Sequence, residues 1–198
     1  DAKPATVAAF WYAPYKRVKG ADGKEVFQPN GAPGWRLRFT PTAAGRHRLS
    51  WRTFSAGRPV GAVRQTVFQA ASGPLKGFVR PSKRNPEYLA YADGTRFLPI
   101  GMNTAWWNAG GTWDYDRWAA NMQKAGMNYG RLWMAPWCFG IEQAPGQLGN
   151  YALDRAWALD LVLETFRKRG VQVVLCLDYH GMLQQTKDFW GSNDNWAN

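Results

Sequence analysis

The feature that most constrains the fold is an alternation of apolar runs and amphipathic segments that begins near Arg96. The apolar runs predict strands, and the segments between them carry apolar residues at helical spacing. In chain order the predicted elements are strand one at Phe97–Asn103, a helix from Asp114 to Ala125, strand two at Met127–Met134, a helix from Leu153 to Arg169 and strand three at Val171–Leu177. Strands joined by crossover helices are parallel. The pattern therefore predicts the opening of a β/α barrel or of a doubly wound sheet.

Capping signals mark the ends of both predicted helices. Asp114 is the expected N-cap of the first helix, and Gly126 is its expected left-handed stop. Basic residues fill the last turn of the second helix before Gly170 ends it, which suits the negative end of the helix dipole. Both helices are thus predicted to stop one residue before a new strand begins.

Residues 1–76 have a different pattern, with short alternating strands separated by turns rich in Gly and Pro. The clearest examples are Trp35–Thr40 and Arg46–Phe54, in which apolar and polar side chains alternate. This pattern predicts a small antiparallel β-sandwich over residues 1–76. Residues 77–95 are expected to form a junction hairpin around Asp93-Gly94. Residues 96–198 then form the α/β part of the chain.

Aromatic content and charge narrow the function. The chain has 12 Trp and 8 Tyr, residues on which sugar rings stack well. Its net charge of +11 could attract nucleic acid, anionic lipid or an acidic polysaccharide. The sequence contains no recognition-helix, RNP-like or Walker pattern, which argues against nucleic acid as a partner. No stretch approaches the length of about 18 apolar residues that a membrane span needs.

The two cysteines, Cys138 and Cys176, lie in or just after predicted parallel strands. That position favours buried thiols over a disulfide framework. We expect no metal and no cofactor, because the sequence shows neither a metal-ligand cluster nor a dinucleotide fingerprint after strand one.

Polar and aromatic side chains follow each predicted strand at its C-terminal end. The first strand offers Asn103, Trp106 and Trp107, the second offers Arg131 and Trp137, and the third offers Asp178, Tyr179 and His180. The carboxyl ends of parallel strands meet at one edge of a sheet, where active sites of α/β proteins are built. Aromatic platforms combined with Asn, Arg and His suit a flat, hydroxyl-rich ligand such as a sugar. Core packing is an equal alternative for each Trp, and for Arg131 the alternative is a buried salt bridge alone.

Several segments resemble one enzyme group. The segments GMNTAWW, NYGRLWMAPW and VVLCLDYHGM, with AWALDLVLETFRKRG between the last two, are similar to the first three βα units of clan A (β/α)8-barrel glycoside hydrolases. The resemblance is greatest to cellulase-like members that carry a small β-sandwich before the barrel. WRLRFTPTAAGRHRLSW and GFVRPSKRNPEYLAYADGTRFLPIG resemble that module and its junction.

The resemblance implies roles for two residues. Arg131 matches the arginine that supports the nucleophilic carboxylate, and His180 matches a histidine that lines the subsite beside the cleaved bond. The acid/base and nucleophile of the group are glutamates after strands four and seven, which this sequence does not contain. Glu142 and Asp178 do not occupy those positions. A complete barrel needs about 250 residues against roughly 100 here, so we expect a longer polypeptide, or a cleaved second chain, to complete the barrel.

The first interpretation is therefore that the chain is the N-terminal portion of a secreted or periplasmic glycoside hydrolase, which cleaves poly- or oligosaccharides with retention of the anomeric configuration. In that reading this chain alone is inactive and supplies substrate-binding residues. The second is a non-catalytic carbohydrate-binding protein on a barrel scaffold. The third, a doubly wound domain for another small ligand, is disfavoured by the Trp-rich strand ends. Fold alone does not decide among them.

Overall fold

The computed structural model describes residues 4–74, 76–142 and 149–177. Four short strands come first, β1 (Phe10–Tyr12), β2 (Tyr15–Lys19), β3 (Glu25–Pro29) and β4 (Gly34–Arg36), and are followed by β5 (Gly45–Ser55), β6 (Arg58–Ala70), β7 (Val79–Pro81), β8 (Leu89–Tyr91) and β9 (Arg96–Phe97). The remainder is β10 (Gly101–Asn103), α1 (Trp113–Lys124), β11 (Tyr129–Trp133), α2 (Leu153–Lys168) and β12 (Gln172–Cys176). None of the described helices is long and apolar enough to cross a membrane.

The chain divides into two compact units. Among the described residues, one unit contains residues 4–7 and those between Arg38 and Leu98, and the other contains Ala8–Leu37 together with those between Pro99 and Leu177. This division differs from the single module predicted for residues 1–76, because strands β1–β4 group with the α/β part of the chain. The difference arises from long-range contacts of the β2–β3 hairpin, which short-range periodicity cannot report.

The first unit is built from antiparallel strands. Strands β5 and β6 form a long hairpin with an irregularity between Trp51 and Thr53, and β7, β8 and β9 form a three-stranded sheet. The β8–β9 hairpin confirms the turn predicted at Asp93-Gly94, where the Asp93 carboxylate accepts a hydrogen bond from the Thr95 N–H at 2.8 Å. The Thr95 bond, the largest cause, lowers the pKa of Asp93, and nearby Lys76 contributes in the same direction.

The second unit is organised by a three-stranded sheet in the order β10-β11-β12, and all its pairs are parallel. The predicted parallel pairing of the three strands is therefore confirmed. Both predicted helices exist within one residue of their expected ends, and Gly126 and Gly170 follow them with φ angles of +71° and +73°. These left-handed conformations suit glycine, which lacks the Cβ that would be strained there.

Residue spacing explains the core of this unit. In β11, alternation buries Gly130 and Leu132 on one face and leaves Arg131 exposed on the other. Each helix contributes one stripe to the buried side, which consists of Tyr115, Ala119 and Met122 from α1 and Ala158, Val162 and Phe166 from α2. These side chains pack with Leu132, so both helices cover the same face of the sheet. The other face carries the candidate site.

Two details of the sequence interpretation are wrong. The alternation predicted to form a strand over Trp35–Thr40 is paired only as far as Arg36, because β1 is three residues long and offers no further partner. Helix α1 begins at Trp113 with Thr112 as its N-cap, so Asp114 lies inside the first turn. The predicted sandwich and (β/α)8 barrel stay predictions, since the described strands form sheets of two or three strands.

Candidate functional site

The register of the parallel sheet places Asn103 beside Arg131. These two residues are Cα partners across β10 and β11, and Val174 is the partner of Arg131 in β12. Partners on neighbouring strands project from the same face, so the amide and the guanidinium share the face of the sheet opposite the helices. Asn103, Arg131 and Val174 are all exposed. Two of the predicted site residues are thus adjacent on an open surface.

Arg131 is held by a sulfur atom and an indole ring. Its Nε donates a hydrogen bond to Cys176 Sγ at 3.2 Å, and its guanidinium carbon lies 4.9 Å from the centre of the Trp133 ring. No carboxylate pairs with Arg131 in the described part of the chain, and both its substrate-binding role and the alternative of a buried salt bridge stay predictions. A guanidinium carries five N–H donors, and most of those of Arg131 remain available to a ligand.

Three tryptophans form a cluster at the end of β11. The Trp106 ring lies 5.5 Å from Trp133 and 5.3 Å from Trp137, and both pairs are nearly perpendicular. Trp106 is 39% exposed, whereas Trp137 packs partly against the core. The cluster therefore combines one accessible indole with two that support it. It continues directly into Arg131 through the Trp133 ring.

Trp107 points elsewhere. Its ring packs edge-on against buried Phe139 at 4.9 Å, and the Arg155 guanidinium lies 5.6 Å from the ring centre. Arg155 also donates a hydrogen bond to the carbonyl of Cys138. Of the three tryptophans predicted as sugar platforms, Trp106 and Trp137 come together and Trp107 belongs to the core under the β11–α2 loop.

Backbone hydrogen bonds fix the loops that carry these side chains. The carbonyl of Arg131 accepts hydrogen bonds from the Thr104 N–H at 3.0 Å and from the Thr104 hydroxyl at 3.2 Å. The Trp133 N–H donates to the carbonyl of Ala105, which extends the pairing of β10 and β11 beyond the strand ends. The approach to Trp106 is thus an ordered continuation of the sheet.

Trp133 and Cys176 are site residues that the sequence interpretation missed. Trp133 lies two positions after Arg131 in β11, and Cys176 is its partner in β12. A period of two places Arg131 and Trp133 on the same face, so the alternation in NYGRLWM carried the signal. The bond between Arg131 and Cys176 could not be predicted, because it needs the register of two strands more than 40 residues apart.

The remaining predicted residues divide into two groups. Asp178, Tyr179 and His180 lie outside the described residues, so their part in the site stays a prediction. Glu142 is described, and its carboxylate accepts a hydrogen bond from the Gly149 N–H at 2.8 Å within the β11–α2 loop. Among the described residues, no three His, Cys, Asp or Glu side chains come close enough to hold a metal ion.

The thiol of Cys138 lies beneath the site in the core. Burial raises its pKa to about 12, and the Tyr115 hydroxyl approaches its sulfur at 4.0 Å. Burial raises the pKa of Tyr115 as well. Both groups are therefore protonated at neutral pH, which makes Cys138 a packing residue and excludes it as a thiolate nucleophile. The thiol is free, as is that of half-buried Cys176, in line with the expectation of unbridged cysteines.

A second polar cluster lies at the start of α1. The Glu25 carboxylate, carried by β3, accepts hydrogen bonds from the N–H of Thr112 at 2.7 Å and from its hydroxyl. Arg17 of β2 forms an ion pair with Asp116 at 2.8 Å, and its guanidinium also lies 5.5 Å from the centre of the Trp113 ring. Burial, the largest cause, raises the pKa of Glu25 despite the two hydrogen bonds. The cluster caps α1 from outside and fixes the hairpin to it.

Asp114 explains why the predicted cap is wrong. Its carboxylate accepts hydrogen bonds from the Asn108 N–H at 2.9 Å and from Arg117 at 2.7 Å. It therefore ties the β10–α1 loop to the helix. The backbone N–H of Thr112, at the start of α1, instead donates its hydrogen bond to the Glu25 carboxylate. No sequence pattern links Glu25 to Thr112, which lies 87 positions later.

Comparison with known proteins gives one structural likeness. No protein-family model and no curated protein sequence matches the chain. The fold is similar to that in the crystal structure of a proposed glycoside hydrolase from Bacteroides vulgatus ATCC 8482, with a TM-score of 0.52 and 19% sequence identity. The match covers 87% of this chain and 40% of that one, so this chain spans less than half the length of its structural neighbour. At that identity the likeness is one of fold.

Proposed function

We propose that this chain contributes to a glycoside hydrolase and supplies part of its substrate-binding surface. The observation that carries the proposal is the open sheet face on which Asn103, Arg131 and the Trp106 indole lie at the C-terminal ends of parallel strands. Such a face offers a flat apolar platform beside directional donors, which is the combination that a sugar ring and its hydroxyls need. The structural neighbour, itself a proposed glycoside hydrolase, supports the same reading.

In this proposal the parallel sheet belongs to a (β/α)8 barrel. The sequence resemblance and the open face support it, because side chains such as Arg131 and Val174 would line the interior of such a barrel. An accessory module of antiparallel strands, predicted as the small β-sandwich of residues 1–76, would accompany the barrel. A secreted or periplasmic location would suit a polysaccharide substrate and is part of the same proposal.

Cleavage with retention requires two carboxyl groups about 5–5.5 Å apart across the glycosidic bond. None of the described Asp or Glu side chains contacts Arg131. The acid/base and the nucleophile would therefore come from segments other than the described strands. Arg131 would hold the nucleophile in its ionised form, because an adjacent guanidinium favours a carboxylate over the neutral acid.

The test uses the complete protein that contains this chain, as wild type and as two arginine variants. Each protein is incubated with a panel of polysaccharides, and hydrolysis is measured as the release of reducing ends. Arg131→Ala is expected to lower kcat/KM by about 100-fold or more, as removal of one well-placed charged donor does. Arg167→Ala is the matched control, because Arg167 is an exposed arginine on α2 that pairs with Glu164. Equal activity of the two variants would remove Arg131 from the active site.

The same experiment distinguishes the glycoside hydrolase from the alternative function, a non-catalytic carbohydrate-binding protein on the same scaffold. The described residues favour that rival in one respect, since they place aromatic and polar groups together without a pair of carboxylates. Retention of a polysaccharide without release of reducing ends from any substrate would establish the binding protein. Release of reducing ends that depends on Arg131 would establish the hydrolase.

A further inference from the structure

A groove of 620 Å³ lies between strand β1 and the loop that leads into α2. Its lining includes Trp11 on one side and Ile141, Asn150, Tyr151 and Leu153 on the other. All of these residues belong to the same compact unit. The volume falls within the range of small-molecule sites, which is about 300–1,000 Å³. The groove is separate from the Arg131 face and shares none of its residues.

Trp11 is an exposed indole in a fixed orientation. It is the Cα partner of Trp35 across β1 and β4, and the two rings meet edge to face with centres 5.6 Å apart. Trp11 is 46% exposed and Trp35 is 66% exposed, although each could have been buried in a core. The contact restricts the rotamers of Trp11 before any ligand arrives, which lowers the entropic cost of binding.

The opposite wall offers hydrogen-bonding groups without charge. The Asn150 amide and the Tyr151 hydroxyl make no hydrogen bond within the part of the chain that the structure describes, and Tyr151 is 57% exposed. Two hydrogen bonds nevertheless fix their loop. The Ala152 N–H donates to the backbone carbonyl of Ile141 at 2.7 Å, and the Gly149 N–H donates to the Glu142 carboxylate at 2.8 Å. This wall therefore presents the Tyr151 ring and hydroxyl and the Asn150 amide from a backbone that hydrogen bonds hold in place.

The lack of charged side chains in the described lining indicates which class of ligand the groove could bind. None of the described lining side chains carries a charge at pH 7, although the whole chain has a net charge of +11. A phosphate, a nucleic acid or an acidic sugar would find no countercharge there. A purely apolar ligand would leave the amide and the hydroxyl unpaired, which costs free energy. A neutral sugar ring meets the apolar and the polar requirement together. Its C–H face can stack on the Trp11 indole, and its hydroxyls can bind the Asn150 amide and the Tyr151 hydroxyl.

We propose that Trp11, Asn150 and Tyr151 form a second, distal binding site for a neutral pyranose unit of a polysaccharide. This inference rests on the proposed function and extends it. The β11–α2 connection carries Trp137 in its first part and Asn150 and Tyr151 in its last part, so one connection of the chain serves both the Arg131 face and the groove. Such a site implies that the substrate is a long, uncharged glycan that extends from the C-terminal ends of the parallel strands to the groove. Trp35 acts as a positioning residue through Trp11.

Affinity gel electrophoresis with soluble polysaccharides tests the proposal. The probes are hydroxyethylcellulose, galactomannan and xyloglucan as neutral chains, with polygalacturonate as the acidic comparison. At least one neutral probe is expected to retard the protein, and Trp11→Ala is expected to weaken that binding about tenfold. Trp51→Ala is the control, since Trp51 is 40% exposed and belongs to the other compact unit. Trp11→Phe should retain part of the affinity, because it keeps a smaller ring.

Three results would overturn the assignment: no retardation by any neutral probe, retardation by polygalacturonate alone, or equal effects of the Trp11 and Trp51 substitutions. Tyr151→Ala gives an independent reading if Trp11→Ala fails to fold, and unchanged binding in that variant counts against the groove. Reducing-end release by the complete wild-type protein that contains this chain is measured on the same probes. If polysaccharide binding depends on Trp11 but no reducing ends are released, the groove is established as a binding site and the hydrolase is refuted. If reducing ends are released but binding does not depend on Trp11, the hydrolase is supported and the groove is refuted as a binding site.

Discussion

Replacing Glu25 by Ala tests the inference that a hairpin far away in sequence caps helix α1. The substitution removes the carboxylate that accepts hydrogen bonds from the N–H and the hydroxyl of Thr112, which is fully buried. It also leaves the Arg17 guanidinium with one acidic neighbour fewer, although its ion pair with Asp116 remains. The hairpin β2–β3 would then be held to α1 by fewer polar contacts.

The magnitude follows from the burial of Thr112. A buried donor left without an acceptor costs about 1–3 kcal/mol, and loss of a helix cap costs about 1 kcal/mol. The two figures describe the same amide, so they are not summed. Burial of the ionised carboxylate already costs some free energy, and its removal returns part of it. We expect a net loss of about 2 kcal/mol, which corresponds to a fall of about 4–8 °C in Tm for a chain of this size.

The dependence on pH has a definite sign. Burial raises the pKa of Glu25 in the folded protein above its value in the unfolded chain, which is about 4.3. The contribution of this carboxyl to stability is therefore fully present below pH 4.3 and is lost as the pH rises through the folded-state pKa. Glu25→Gln, which stays neutral, should gain stability relative to wild type as the pH rises above the unfolded-state pKa of about 4.3.

Urea unfolding monitored by tryptophan fluorescence measures both effects, with Glu87→Ala as the control. Glu87 is an exposed residue, and its removal should change the free energy of unfolding by no more than about 0.5 kcal/mol. The capping inference fails if Glu25→Ala behaves like the control. The burial argument fails separately if Glu25→Gln loses stability relative to wild type as the pH rises.

Two further predictions concern the sheet and the core. A Cβ added at Gly101 would clash with the carbonyl oxygen of Tyr129, so Gly101→Ala should separate β10 from β11 and cost at least about 3 kcal/mol. At Gly34 an added Cβ meets open space, so Gly34→Ala should cost far less, and equal unfolding midpoints of the two variants would contradict this. Because burial raises the pKa of Cys138 to about 12, iodoacetamide at pH 8 should alkylate Cys176 well before Cys138 in a time course followed by mass spectrometry, and the opposite order would show that Cys138 is accessible.

The sequence by itself determined the local elements of the α/β part. Both helices begin and end within one residue of their predicted bounds, and the three strands pair in parallel as expected. These features depend on residues within a few positions of one another, such as the apolar stripe of α1 and the glycine that follows it. The adjacency of Asn103 and Arg131 also followed, because parallel strands bring their ends to one edge.

Only the tertiary structure decided which distant side chains complete each site. It gave Arg131 a sulfur and an indole as partners and turned Trp107 towards Phe139. It also made Thr112 the N-cap of α1 in place of Asp114, with the Glu25 carboxylate bound to the Thr112 N–H. It also grouped Ala8–Leu37 with the parallel sheet. Each of these outcomes depends on contacts between residues tens of positions apart, whose free energies come from docking and burial. Periodicity along the chain carries no record of them.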